Sequence, residues 1–150
     1  MNIVAIGLNH QTSPIALRDQ VAFTSAQIEE ALDSLRTVAG RGIILSTCNR
    51  MELYTLTPSE DEGAKTLKGF VSNYHDVALD ELTPHIYAYS QREAVHHLFR
   101  VSSGLDSLVL GESQILGQVR EAYGSASRMG MAGGSLSRLF HQALRVGKRA

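Results

Sequence analysis

The pattern of apolar residues in this 150-residue chain predicts an α+β fold: a ferredoxin-like, four-stranded antiparallel sheet packed with helices, followed by C-terminal helices leading toward a linker. Three observations predict it. Short apolar or alternating runs at residues 3–8, 43–45, 51–57 and 85–89 are interleaved with helical periodicity at 25–38 and 61–76. The second and third runs are joined only by STCNR, whereas a parallel pair needs a crossover of about a dozen residues or more. From residue 104 onward the pattern is helical to the end.

Residues 3–8 open as a strand, and NHQTSP supplies turn chemistry, with Pro14 suited to the first position of a short helix, where its missing N–H is not needed. Thr24 and Gln27 stand three apart as a capping box. Behind them Ile28, Ala31, Leu32 and Leu35 repeat at helical spacing, which predicts a helix over 25–38. Gly40 and Gly42 break that period before the run 43–45. The alternating stretch 51–57 reads as the next strand, so residues 47–50 lie at a strand-to-strand turn. Ala64, Leu67, Val71 and Tyr74 mark a helix over 61–76, and 85–89 reads as the fourth strand. Ser90 and Glu93 form a second capping box, opening a helix that runs to about residue 103. Ile115, Val119, Ala122 and Ala126 make one later stripe, Leu136, Leu139, Phe140, Ala143 and Val146 another, and MGMAGGS at 129–135 divides them. The last stripe runs into Arg149 without a stop signal, so about 136–150 is expected to begin a longer linker helix.

Hydrophobic residues at 43% and charged residues at 19% fit one soluble domain. A chain of this size buries roughly 70% of its unfolded surface, enough for a core without disulfide or structural metal. One cysteine forbids an internal disulfide and a Cys-x-x-Cys site, which fits a reducing compartment, and the cytoplasm is the expectation. No basic leader precedes the first apolar run, and no window approaches the ~20 apolar residues of a membrane span. A formal net charge of −1 argues against a dedicated polyanion binder. Its distribution is uneven, with 6 Lys+Arg against 11 Asp+Glu in residues 1–90 and 8 against 4 in residues 91–150. Arg138, Arg145, Lys148 and Arg149 gather after the last acidic residue, Glu121, as either an anion contact or a solvated helix face.

Cys48 is the first candidate for chemistry. Free cysteines are commonly small core residues, but this one sits in a turn between polar neighbours, Thr47 and Asn49, and such a turn can expose a thiol. Residues two apart share a face of an extended segment, so Arg50 and Glu52 are expected on the side of Cys48. Arg50 then either favours the thiolate, holds a substrate carboxylate, or pairs with Glu52. Of the six histidines, His96 falls on the polar face of its helix with Arg92 and Arg100, and His97 at the border with the apolar stripe of Ala94, Leu98 and Val101. Gln114 and Gln118 share a helix face, with Asp106, Ser107 and Glu112 upstream. Gly111 and Gly117 are costly in a helix unless a close backbone or ligand approach uses the space. No GxGxxG turn, Walker loop, metal-ligand cluster or paired-carboxylate motif is present.

Four blocks in order, GLNHQTSPI at 7–15, STCNRMELY at 46–54, HLFRVSSGLDSLVLGESQILGQVREAY at 97–123 and the terminal LFHQALRVGKRA, resemble glutamyl-tRNA reductase over essentially the whole chain. The part resembled is that family's ferredoxin-like N-terminal catalytic domain. In the family it precedes a helical linker, an NADPH-binding domain and a dimerisation domain, which find no counterpart in residues 1–150. The resemblance implies that Cys48 attacks the ester of glutamyl-tRNA to form a thioester, which NADPH reduces to glutamate-1-semialdehyde, the precursor of 5-aminolevulinate and tetrapyrroles. It also implies His97 as an activity-critical histidine, either base to the thiol or orienting the ester. Thr47, Asn49, Arg50, Ser107, Glu112, Ser113, Gln114 and Gln118 match substrate-binding positions, although Ser113 stands where the family often has proline. The implied partners are the acceptor end of glutamyl-tRNA and, in the full-length family, a second copy. Haem or a regulatory protein as feedback ligand is left open. NADPH belongs to the full-length family, and neither it nor a metal is expected on this chain.

Two other functional classes fit the residues less well. A single-strand RNA reader on this fold presents aromatic side chains on its sheet, but aromatics make up only 6% of the chain and the strands carry no ladder beyond Tyr87 and Tyr89. A cysteine hydrolase or peroxide sensor needs a reactive thiol without dependence on tRNA.

Overall fold

Four strands, β1 (Asn2–Asn9), β2 (Ile43–Ser46), β3 (Arg50–Thr57) and β4 (Tyr87–Ser90), form one antiparallel sheet in the order β2-β3-β1-β4. With the helices between them this is the ferredoxin-like βαββαβ arrangement. The computed structural model describes residues 1–106 and 114–149. Its helices are α1 (Ile15–Val21), α2 (Ile28–Ala39), α3 (Glu60–His75), α4 (Leu79–Leu82), α5 (Arg92–Ser102), α6 (Gln114–Arg128) and α7 (Ser135–Arg149).

Alternation along the strands divides the helices between two faces. Thr57, on the face opposite Glu52, lies against Gly63 of α3, and Phe23, just ahead of α2, stacks on Phe70 of α3 at 6.3 Å. These helices bury the apolar side chains Leu32, Leu35, Leu67 and Val71. On the other face Tyr54 meets Phe140 of α7 edge-on, with ring centroids 5.2 Å apart. His97 of α5 reaches Glu52 on that same face. β3 is therefore buried along its whole length although its sequence alternates polar and apolar, because the C-terminal helices cover the side that water would otherwise wet. α6 packs along the edge strand β2, and the Gly42 N–H donates to the Met131 carbonyl just beyond α6 at 3.1 Å.

Three local expectations change. The Ser90–Glu93 capping box is not formed: Ser90 ends β4 opposite Val4, and Gln91 at φ 56 makes the turn into α5. Its N–H bonds to Ile3 O at 2.8 Å and its side chain to Asn2 Oδ1 at 2.6 Å, so pairing with β1 decides where the helix begins. The fourth strand begins at Tyr87 rather than 85, because Thr83–His85 forms a 3₁₀ turn with proline at its start. Gln27 does reach back to the Thr24 N–H at 3.0 Å, but α2 starts only at Ile28. No helix among the described residues is long and apolar enough to cross a membrane.

Gly7 occupies the middle of β1, opposite both Glu52 and Tyr87. A Cβ there would lie 2.6 Å from both the Met51 carbonyl oxygen and Glu52 Cγ, and 3.1 Å from the Tyr87 hydroxyl. Backbone cannot give way as a flexible side chain can. Gly7→Ala is expected to destabilise the fold by about 2 kcal/mol or more, as overpacking of a tight core does, and urea unfolding measures it.

Candidate active site

Cys48 sits at the apex of the β2–β3 turn and is exposed. Thr47 shapes that turn. Its N–H donates to the Arg50 carbonyl at 2.8 Å, while its hydroxyl accepts from the Asn49 N–H at 3.1 Å and the Arg50 N–H at 3.2 Å. The loop after β1 lies alongside, with the His10 N–H donating to Asn49 O at 2.9 Å. Asn9 folds that loop by accepting from the N–H groups of Gln11 and Thr12. A cavity of about 90 Å³ opens beside the thiol, lined by Thr47, Cys48, Asn49 and Arg50 on one side and by Gln114, Ile115 and Gln118 of α6 on the other. Six of the residues singled out in the sequence thus meet here. Ser107, Glu112 and Ser113 lie outside the described residues.

Behind the cavity lies a buried ionic cluster centred on Glu52, which is 0% exposed. Arg50, itself 2% exposed, donates from Nη1 to Glu52 Oε2 at 3.0 Å and from Nη2 to the Asp106 carbonyl at 2.8 Å. Tyr54 donates to Oε1 at 2.7 Å, while the Tyr87 hydroxyl and His97 Nε2 donate to Oε2, each at 2.5 Å. Burial alone would push the Glu52 carboxyl upward. The hydrogen bond and charge of His97, the charge of Arg50 and the Tyr87 hydroxyl outweigh it and hold the carboxyl at about 2. For Arg50, burial works against the charge, but Glu52 more than offsets it and the guanidinium is shifted further upward. Burial, then the adjacent Glu52 charge, pushes the hydroxyls of Tyr54 and Tyr87 well above the usual phenol range, so both serve as donors.

The pairing of Arg50 with Glu52, one of the alternatives the spacing allowed, is present in the structure. Among the described residues His97 does not line the cavity beside the thiol; it is linked to Arg50 through Glu52 and through Asp106. Its Nδ1 faces Asp106 Oδ2 at 3.8 Å, and its ring packs on Tyr87 and Tyr89. His96 is exposed, as its helix position implied. The sequence offered Glu52 only as a partner for Arg50, not as the centre of a cluster, and Asp106 only as a polar residue upstream of Gln114. Glu52 carried a signal, since glutamate is disfavoured in a strand and here faces a glycine. Asp106 carried none, because its partners Arg50, His97 and Arg100 come from other elements.

Among the described residues no group of three or more His, Cys, Asp or Glu side chains is gathered to hold a metal ion. Glu52 gives a sharp test of the cluster. Its folded value lies below the unfolded one, so its stabilisation is present above about pH 4.5 and is lost as pH falls toward 2. Wild-type stability is expected to drop by roughly 3 kcal/mol across that window. Glu52→Gln should cost about 3 kcal/mol at neutral pH by leaving Arg50 without its anion, and should flatten the acid slope. Urea unfolding from pH 2 to 7 reads both.

The family described as glutamyl-tRNAGlu reductase, N-terminal domain, matches residues 6–150. Over 99% of its length the chain is 47% identical to a glutamyl-tRNA reductase of Herpetosiphon aurantiacus and 44% identical to one of Trichlorobacter lovleyi. It spans about a third of each, 36% and 35%. The solved glutamyl-tRNA reductase from Methanopyrus kandleri superposes on 98% of this chain with a TM-score of 0.73 and 32% identity, the match taking up 33% of that structure. On fold, sequence and extent together, the chain belongs to the family of glutamyl-tRNAGlu reductase N-terminal domains.

Proposed function

We propose that this domain is the acyl-accepting site of a glutamyl-tRNA reductase. The Cys48 thiolate attacks the ester carbonyl that joins glutamate to the terminal ribose. A sulfur–carbon bond forms, the carbon–oxygen bond breaks, and the ribose oxygen leaves with a proton, giving a thioester on Cys48 and free tRNA. The observation that carries this reading is an exposed thiol at the rim of a small cavity whose wall includes a buried, immobilised guanidinium.

Each residue has a chemical part in it. Arg50 gives one N–H to Glu52 and one to Asp106, and a guanidinium has five, so donors remain for a substrate carboxylate. Thr47 and Asn49 hold the turn that presents the thiol, and Gln114 and Gln118 offer amide groups across the cavity to the glutamyl moiety. Ser107, Glu112 and Ser113 join the proposal through the family resemblance. His97 is a positioning residue: with Nε2 committed to Glu52 and Nδ1 turned to Asp106, it steadies the anion that steadies Arg50. No glycine-rich dinucleotide turn occurs in these residues, so the reduction by NADPH is assigned to no residue of this chain.

Mass spectrometry after exposure to charged glutamyl-tRNA tests the proposal. A glutamyl adduct on Cys48 is expected, and Cys48→Ser should reduce acylation by more than about a thousandfold; an adduct that survives the substitution removes the nucleophile. With NADPH added, these 150 residues should release glutamate and no semialdehyde. His97→Asn should slow acylation by about a hundredfold through misplacement, while the pH dependence of Cys48 alkylation by iodoacetamide stays in place. An upward shift of that curve would make His97 the base.

A further inference from the structure

Beside the Cys48 cavity lies a larger trough of about 690 Å³ along α6. Phe23, Ile28 and Ile44 give it an apolar floor, while two cations, Arg120 and Arg128, and one carboxylate, Glu121, stand among its polar lining. Gln118 lines both the trough and the cavity, and Ser46 in its wall precedes Thr47 in the chain. From Gln118 to Arg128 it follows the helix for about 15 Å at 1.5 Å per residue.

Glycine inside a helix weakens it relative to alanine and calls for a compensating use. Some glycines have one: Gly40 has φ 81, Gly63 crowds Thr57, and Gly147 would place a Cβ 2.7 Å from the Ser102 carbonyl oxygen. Gly117, like Gly69 in α3, has neither reason. Among the described residues nothing lies within 4 Å of a Cβ built there, and the space opens into the trough. At Gly124 the nearest atom is Arg128 Nη1 at 3.3 Å, so that guanidinium lies back along the helix beside the same trough.

Given the acyl transfer proposed above, on which this inference rests, the ester carbonyl must come within about 3–3.5 Å of the sulfur. The terminal ribose then stands at the mouth of the 90 Å³ cavity, and the strand behind it must leave over an adjoining surface. Unpaired nucleotides bind where bases meet apolar or aromatic groups and phosphates meet cations. We propose that the trough is the subsite for the unpaired 3′-terminal nucleotides of the acceptor strand, with bases toward the apolar floor, phosphates toward Arg120 and Arg128, and Gly117 keeping it open.

Binding of a short RNA ending in CCA, measured by fluorescence anisotropy without any thiol chemistry, tests this directly. Gly117→Leu restores a good helix former, so its melting temperature should equal or exceed that of the wild type. Its RNA affinity should fall by at least about tenfold. Arg128→Glu should weaken binding too and reduce the salt dependence of what remains. Acylation of Cys48 by a small glutamate α-methyl ester should be unchanged in Gly117→Leu. Equal RNA binding by wild type and Gly117→Leu, or no binding by the wild type, overturns the subsite and leaves the thiol reading to its own test. Joint loss of RNA binding and small-ester acylation would place Gly117 in the amino-acid pocket and overturn it as well.

Discussion

A single carboxylate without contact to water organises this domain. Glu52 sits in the middle of a central strand, and an ion in that position is tolerable only when charge and hydrogen bonds replace its hydration. Arg50 supplies the countercharge from two residues away, Tyr54 and Tyr87 supply hydroxyls, and His97 supplies a ring N–H from α5. Gly7 is bare because its place is taken by Glu52 and Tyr87. Each of these constraints is local, and together they tie three strands and a helix to one pair of oxygen atoms.

The two faces of the sheet therefore do different work. Helices α2 and α3 bury aliphatic and aromatic side chains, and their contribution is the ordinary one of removing apolar surface from water. Helices α5 and α7 cover the face that carries the ions. Low dielectric there strengthens the interactions of Arg50 and Glu52 and fixes their geometry, whereas the same pair at the surface would be screened and mobile.

The thiol and its surroundings stand in contrast. Cys48 is exposed at the apex of a turn, while the guanidinium two residues on is held by partners on two sides. For the acyl transfer proposed above, an accessible thiol beside a guanidinium held by two hydrogen bonds meets the requirement of preorganisation without asking the whole loop to be rigid. Thr47 makes the compromise workable by closing the turn through its own hydroxyl.

Much of this was legible from the residues alone. Periodicity placed all four strands and the main helices, since apolar spacing is a local property that every fold must obey. STCNR located the turn with the thiol, and the alternation of Cys48, Arg50 and Glu52 named an ion pair that exists. What local order could not contain was which far-off groups would complete the cluster. Ser90 looked like a cap until pairing with Val4 claimed it for the sheet, and Asp106 looked like any turn residue until Arg50 and His97 converged on it. His97 read as a border residue facing a cleft, yet its ring points to a carboxylate buried under its own helix. Spacing along the chain records which side chains share a face; only packing decides what that face meets, because burial and partner choice depend on elements tens of residues apart.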